Sequence, residues 1–82
     1  MEKGVVYRSQ EKTEEIRRFR SGRGFYYPRN MVEELQKHGV NMTRQTWSNK
    51  EKGKTKFTAS ELEALSEIFE MPLAETFAFF NG

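Results

Sequence analysis

Apolar residues recur at helical spacing along this chain, and capping or breaking residues divide them into segments. From about Ser9 to Ser21 the pattern predicts a first helix, with Ile16 and Phe19 on one face, acidic residues early and arginines late. Ser9 or Thr13 is its candidate cap, and Gly22 and Gly24, bracketing Arg23, end it. Pro28 suits the first turn of a second helix, which Met31, Val32 and Leu35 continue and Gly39 stops. Val40 to Met42 forms a turn, and Thr43 caps a third, far more polar helix that Gly53 ends. Thr58 and Glu61 make a capping box ahead of Leu62, Leu65, Ile68 and Phe69, an amphipathic fourth helix with an acidic outer side, closed at Pro72. The last segment, Leu73 to Phe80, carries Leu73, Phe77, Phe79 and Phe80, more apolar surface than a terminal helix of a small monomer needs. The expected fold is all-α, a small bundle of four to five helices. Val5, Val6 and Tyr7 favour extended structure and add either an edge strand or an ordered arm within residues 1–8.

Length and composition narrow this further. A chain of 82 residues is expected to form one small domain, and without cysteine it has neither a disulfide framework nor a thiolate metal site, so packing must hold it. Apolar residues make up 35% and charged residues 32%, which suits a thin helical core under a heavily charged surface. No apolar run has the length of a membrane span or a secretory signal, so a soluble cytoplasmic protein is expected. The net charge of +2 conceals a segregation. Arg8, Lys12, Arg17, Arg18, Arg20, Arg23 and Arg29 dominate the first part, whereas after Lys56 only Glu61, Glu63, Glu67, Glu70 and Glu75 remain. Unless folding averages these charges in space, one face attracts a polyanion and another repels it.

The third helix and the turn after it, TRQTWSNKEKGKTK from Thr43 to Lys56, carry the chemistry. Arg44, Gln45, Thr46, Ser48 and Asn49 offer groups that bond base edges or phosphates, Trp47 is the one large apolar anchor, and Lys50, Lys52, Lys54 and Lys56 supply phosphate-directed charge. The plain alternative is a solvated surface helix with a lysine-rich loop.

The TRQTW opening of this helix, the spacing of Glu51 and Gly53 behind it, the GKTK turn and the following FTASELEALSEIFEMPLAETF resemble the helix-turn-helix proteins of the lambdoid phage repressor and Cro group, the XRE family. The resemblance covers Ile16 to Phe80. It implies a lambda-repressor-like fold and a sequence-specific regulator of transcription, a phage or mobile-element repressor whose third helix enters the major groove of double-stranded DNA. Position by position it implies base contacts from Arg44, Gln45 and Asn49, joined by Ser48, with Thr43 and Thr46 near the phosphates. Lys54 and Lys56 match backbone-touching positions, and Lys50, Lys52, Arg17 and Arg20 complete the expected phosphate set. An arginine fork fits guanine O6 and N7 and a Gln or Asn amide fits adenine N6 and N7, each good pair giving about 1–3 kcal/mol of discrimination. In such proteins Glu51 pairs with an arginine of helix one, here Arg17, Arg18 or Arg20. Two departures stand out: the chain from Gly39 to Trp47 is longer than the family's usual turn, and Lys50 occupies a position where the family packs an apolar side chain inward, so Lys50 is expected to turn out to phosphate.

Other residues admit two readings. His38, the only histidine, either supports a helix C-terminus or is a catalytic or metal-binding group. Trp47 is a core anchor or a base-stacking platform, and Phe25 to Tyr27 pack between helices one and two or bind single strands. Leu73, Phe77, Phe79 and Phe80 in the 73–82 segment form a homodimer interface or complete the monomer core. No catalytic constellation, metal-ligand cluster or phosphate-cradling glycine motif is written in the chain, so no enzyme, cofactor or metal is expected. The competing function is a phage-encoded or antitoxin-like helical module whose acidic helix-four face binds and inhibits another protein.

Overall fold

Helix α4 (Ala59–Phe69) packs against both α5 (Leu73–Asn81) and α2 (Pro28–Lys37), and α2 in turn packs against α3 (Arg44–Glu51). With α1 (Gln10–Gly22) these helices make up the computed structural model, which describes residues 10–82. The expected all-α bundle is the architecture found, at five helices and with no strand among the described residues. The Val5 to Tyr7 arm and the Ser9 cap lie outside them. Thr13 is not a cap: it is buried inside α1, where its hydroxyl donates to the Glu51 carbonyl at 3.3 Å. No helix of the described residues is long and apolar enough to cross a membrane.

The core joins residues from every helix: Ile16, Met31, Leu35, Trp47, Leu62, Leu65, Phe69 and Phe80 are all essentially inaccessible to solvent. Aromatic rings run through it in sequence. Trp47 meets Phe57 at 5.4 Å between centroids, Phe57 meets Phe80 at 5.4 Å, Phe80 stacks on Phe69 at 6.0 Å, and Phe69 meets Phe19 at 4.8 Å. Offset and edge-to-face pairs at such spacings contribute about 0.5–1.5 kcal/mol each beyond the area they bury. The ring set therefore links α3, α4, α5 and α1 as well as filling space between them. Asn81 locks the end of α5 to the loop before α4 by a two-bond amide clamp, accepting from Phe57 N–H at 2.8 Å and donating to Phe57 C=O at 2.9 Å.

The first four helices end in one device. Two or three residues beyond the helix an N–H donates back across the last turn to a helix carbonyl, as Phe25 to Arg20, Val40 to Leu35, Lys54 to Asn49 and Met71 to Ser66, and this satisfies carbonyls that the helix leaves orphaned. The residue just before that donor must take the left-handed conformation. Gly24, Gly39 and Gly53 do so freely, but at the end of α4 the position is Glu70, at φ 55°. Starts are as the sequence implies: Pro28 opens α2, Thr43 caps α3, and Thr58 with Glu61 forms the capping box of α4.

Candidate nucleic-acid interface

The eight residues of α3 divide by face. Trp47, Lys50 and Glu51 turn inward, one helical turn apart, which leaves Arg44 and Gln45 exposed and Thr46, Ser48 and Asn49 half-buried at the margin, with Lys52 exposed just past the helix end. Thr43 fixes the start of the helix: its hydroxyl accepts from Thr46 N–H at 3.0 Å and donates to the Thr46 hydroxyl at 2.9 Å. On the surface Gln45 Nε2 donates to Asn49 Oδ1 at 3.2 Å, one turn apart, so the two amides form a single short ladder.

Arg44, Gln45 and Ser48 share an open groove of about 650 Å³ with Tyr27, Pro28 and Arg29 from the start of α2. Of the four expected base-reading residues the structure thus gathers three in one place, with Asn49 joined through Gln45. The opposite flank is different: Thr43 and Thr46 face a groove with Val32, Glu33, Gln36, Asn41 and Met42, so a carboxylate lies beside the two threonines. Past the end of α3, Lys52, Lys54 and Lys56 are all exposed around the Gly53 turn. Arg17 is half-exposed on α1, with its Nε 3.6 Å from Glu51 Oε1.

Two residues expected at phosphates are turned inward instead. Lys50 is only 8% exposed; its ammonium donates to Glu61 Oε1 at 2.8 Å and to the Lys56 carbonyl at 3.0 Å. Lys50 therefore turns inward, because Glu61 of α4 lies across from it and supplies the counter-charge. Glu61 is thereby withdrawn from the acidic outer face of α4, which Glu63 and Glu67 still form. Arg20 is likewise 4% exposed and fully engaged, forking onto the Glu51 carboxylate and donating through Nη1 to the carbonyls of Phe25 and Tyr26 at 2.8 Å each. The expected pairing of Glu51 with a helix-one arginine is found, with Arg20 the principal partner and Arg17 the outer one.

The terminal phenylalanines are also redistributed. Phe80 lies in the core and Phe79 packs on Phe19 and Phe80, with the Lys12 ammonium 4.4 Å from its ring centroid, so neither is a free interface residue. Only Leu73, 47% exposed, and Phe77, 56% exposed, present apolar surface outward. Of the Phe25 to Tyr27 run, expected between helices one and two, Phe25 packs instead on Phe69 of α4, and Tyr26 and Tyr27 point to solvent at 65% and 61%. Trp47 is the core anchor, and its indole N–H has no acceptor among the described residues. His38 stands at the end of α2 with Nδ1 3.1 Å from the Glu34 carbonyl, in the local helix-end position.

Tyr27 and Arg29 are the surface residues that the motif reading left without a role beside the DNA-directed set. Their signal was Pro28: a proline at the first helical position places its neighbours on the opening turn of α2, which the bundle then lays beside α3. Among the described residues no cluster of three histidines or carboxylates is arranged to hold a metal ion. No protein-family model, curated protein or solved structure matches this chain.

Proposed function

We propose that this protein is a sequence-specific double-stranded DNA-binding regulator, with α3 as the helix that enters the major groove. The observation that carries the reading is the division of cations in and around α3. Lys50 and Arg20 are engaged by the carboxylates of Glu61 and Glu51, whereas Arg44, Gln45 and Ser48 share a groove lined by no carboxylate and Lys52, Lys54 and Lys56 stand exposed at the other end of the helix. Arg44 and the Gln45–Asn49 amide ladder have the donor and acceptor geometry of base edges, and the exposed lysines and Arg17 have the charge for phosphates. The protein acts in the cytoplasm as a repressor, without enzymatic activity or cofactor, and as a homodimer on paired half-sites about one DNA turn apart, since one such module makes too few base contacts for useful specificity. Leu73 and Phe77 on α5 are the dimer surface in this proposal.

The test is selection of bound sequences from a random duplex library, followed by affinity measurement across a salt series. A selected pseudo-palindrome, bound with an affinity that falls steeply with salt, is the expected result. No enrichment together with salt-independent or absent duplex binding rejects the reading in favour of a protein-binding module, whose surface would be Glu63, Glu67, Leu73 and Phe77.

A further inference from the structure

The chain between α3 and α4 is held at both ends. At its start Gly53 N–H donates to the Lys50 carbonyl at 3.0 Å and Lys54 N–H to the Asn49 carbonyl at 2.9 Å, with Gly53 at φ 85° making the turn. At its far end Phe57 is clamped by Asn81, and Thr58 N–H donates to Glu61 Oε1 at 2.8 Å. Between these anchors run Lys54, Thr55 and Lys56, all exposed. The Lys50 ammonium reaches into that span from behind. Its side chain is 10% exposed; the ammonium donates to the Lys56 carbonyl at 3.0 Å and to Glu61 Oε1 at 2.8 Å, and lies 6.0 Å from the Phe57 ring centroid. Lys50 thus holds the turn twice, through its carbonyl at Gly53 and its ammonium at Lys56, and the Glu61 oxygen it meets is the one that caps α4.

Resting on the DNA-binding reading above, we propose that Lys50 is a positioning residue: without touching DNA itself, its ammonium fixes the turn so that Lys54 and Lys56 meet the strand already ordered. A desolvated cation is a costly way to fill an inward position, since an apolar side chain of similar length needs no counter-charge there. What the ammonium adds is a donor for the Lys56 carbonyl, and the Glu61 carboxylate keeps that donor aimed. Order already present in the free turn need not be imposed when DNA binds, and for one residue's backbone that is a factor of roughly ten in affinity. Glu61 at the same time cancels the Lys50 charge, so Lys50 contributes placement and not counterion release.

The experiment uses the whole chain with the selected duplex and a random duplex, each across a salt series. Lys50→Met and Glu61→Gln are made together, because the pair leaves the net charge unchanged, strands neither partner and keeps a glutamine in the α4 capping box. This variant, its helical content checked by circular dichroism, is expected to bind both duplexes roughly tenfold more weakly at every salt concentration, with the slope of log affinity against log salt unaltered. On a Lys54→Gln, Lys56→Gln background the same two changes are expected to cause no further loss, because the turn then has no cation to place. A role in stability alone would not follow that cycle. In the free wild-type chain, which needs no variant, NMR relaxation is expected to show the Thr55 and Lys56 amides as rigid as those of the helices. Undiminished affinity, a loss that persists in full on the glutamine background, or a mobile wild-type turn overturns this inference and leaves the DNA-binding reading standing. A reduced slope overturns it by making Lys50 itself a phosphate contact, and failure of the wild-type chain to bind any duplex removes both.

Discussion

Arg20 of α1 and Glu51 of α3 meet in a buried fork, Nε to Oε2 at 2.7 Å and Nη2 to Oε1 at 3.3 Å. The pair lies thirty-one residues apart in sequence and fixes how α3 sits against α1. Breaking one side of a buried pair strands the other charge, which costs about 3–5 kcal/mol. Glu51→Ala is expected to lose stability of that size in urea denaturation. A loss below about 1 kcal/mol, the range of an exposed pair, would show that the fork is solvated.

Trp47 anchors α3 through its volume and its ring contact with Phe57. Among the described residues its indole N–H has no acceptor, so Trp47→Phe gives up no hydrogen bond there and is expected to stay folded, whereas Trp47→Ala leaves a large cavity and costs about 3–5 kcal/mol. Thermal melts of the two variants should be well separated. Equal destabilisation would mean that the N–H has a partner.

Glu70 holds the left-handed position that glycine holds at the ends of α1, α2 and α3. A residue with a Cβ sits there at a penalty of about 1–2 kcal/mol, and Glu70→Gly removes it at the expense of a freer unfolded chain. A net gain of roughly 0.5–1 kcal/mol is expected in equilibrium unfolding. No gain would indicate that the Glu70 side chain compensates for its own backbone.

Lysines on the two sides of α3 should behave oppositely toward DNA. Lys54→Gln or Lys56→Gln is expected to lower affinity alike for selected and random duplexes and to reduce the salt slope by about 0.9 each. Lys50→Met, in which an apolar chain replaces one already turned inward, should leave the slope unchanged in a folded protein. A reduced slope for Lys50→Met would restore Lys50 to the phosphate contacts.

The α5 residues separate in the same way. Phe80→Ser is expected to unfold the domain because it removes a ring shared by Phe57, Phe69 and Phe79. The double variant Leu73→Ser, Phe77→Ser should keep its helical content and lose cooperative binding to paired half-sites, read by sedimentation and by titration of a two-half-site duplex. Retained cooperativity would move the dimer surface elsewhere.

Helix starts and stops were legible because they are local. Pro28, Thr43 and the Thr58–Glu61 box act on backbone groups within one turn, and Gly24, Gly39 and Gly53 supply a conformation that their immediate neighbours need. The candidate base-reading residues were legible for a related reason: on so short a helix, committing Trp47 to the core leaves Arg44, Gln45 and Ser48 toward the other side. Thr13 misled as a cap because its hydroxyl found an acceptor on α3, a partner that local sequence does not reveal.

By itself, then, the sequence determined an all-α bundle of four to five helices, most of their starts and stops, the Trp47 anchor and the polar face of α3, all consequences of periodicity and of hydrogen bonds within one turn. Only the tertiary structure decided which charges are available. Arg20 and Arg17, or Lys50 and Lys52, are equivalent as letters, yet Glu51 and Glu61 claim Arg20 and Lys50 because each carboxylate is brought beside its cation across a helix interface. The same packing put Phe80 inside, left Leu73 and Phe77 outside, and set Tyr27 and Arg29 beside Arg44. A charge or a ring takes its role from what stands opposite it, and that neighbour comes from another helix.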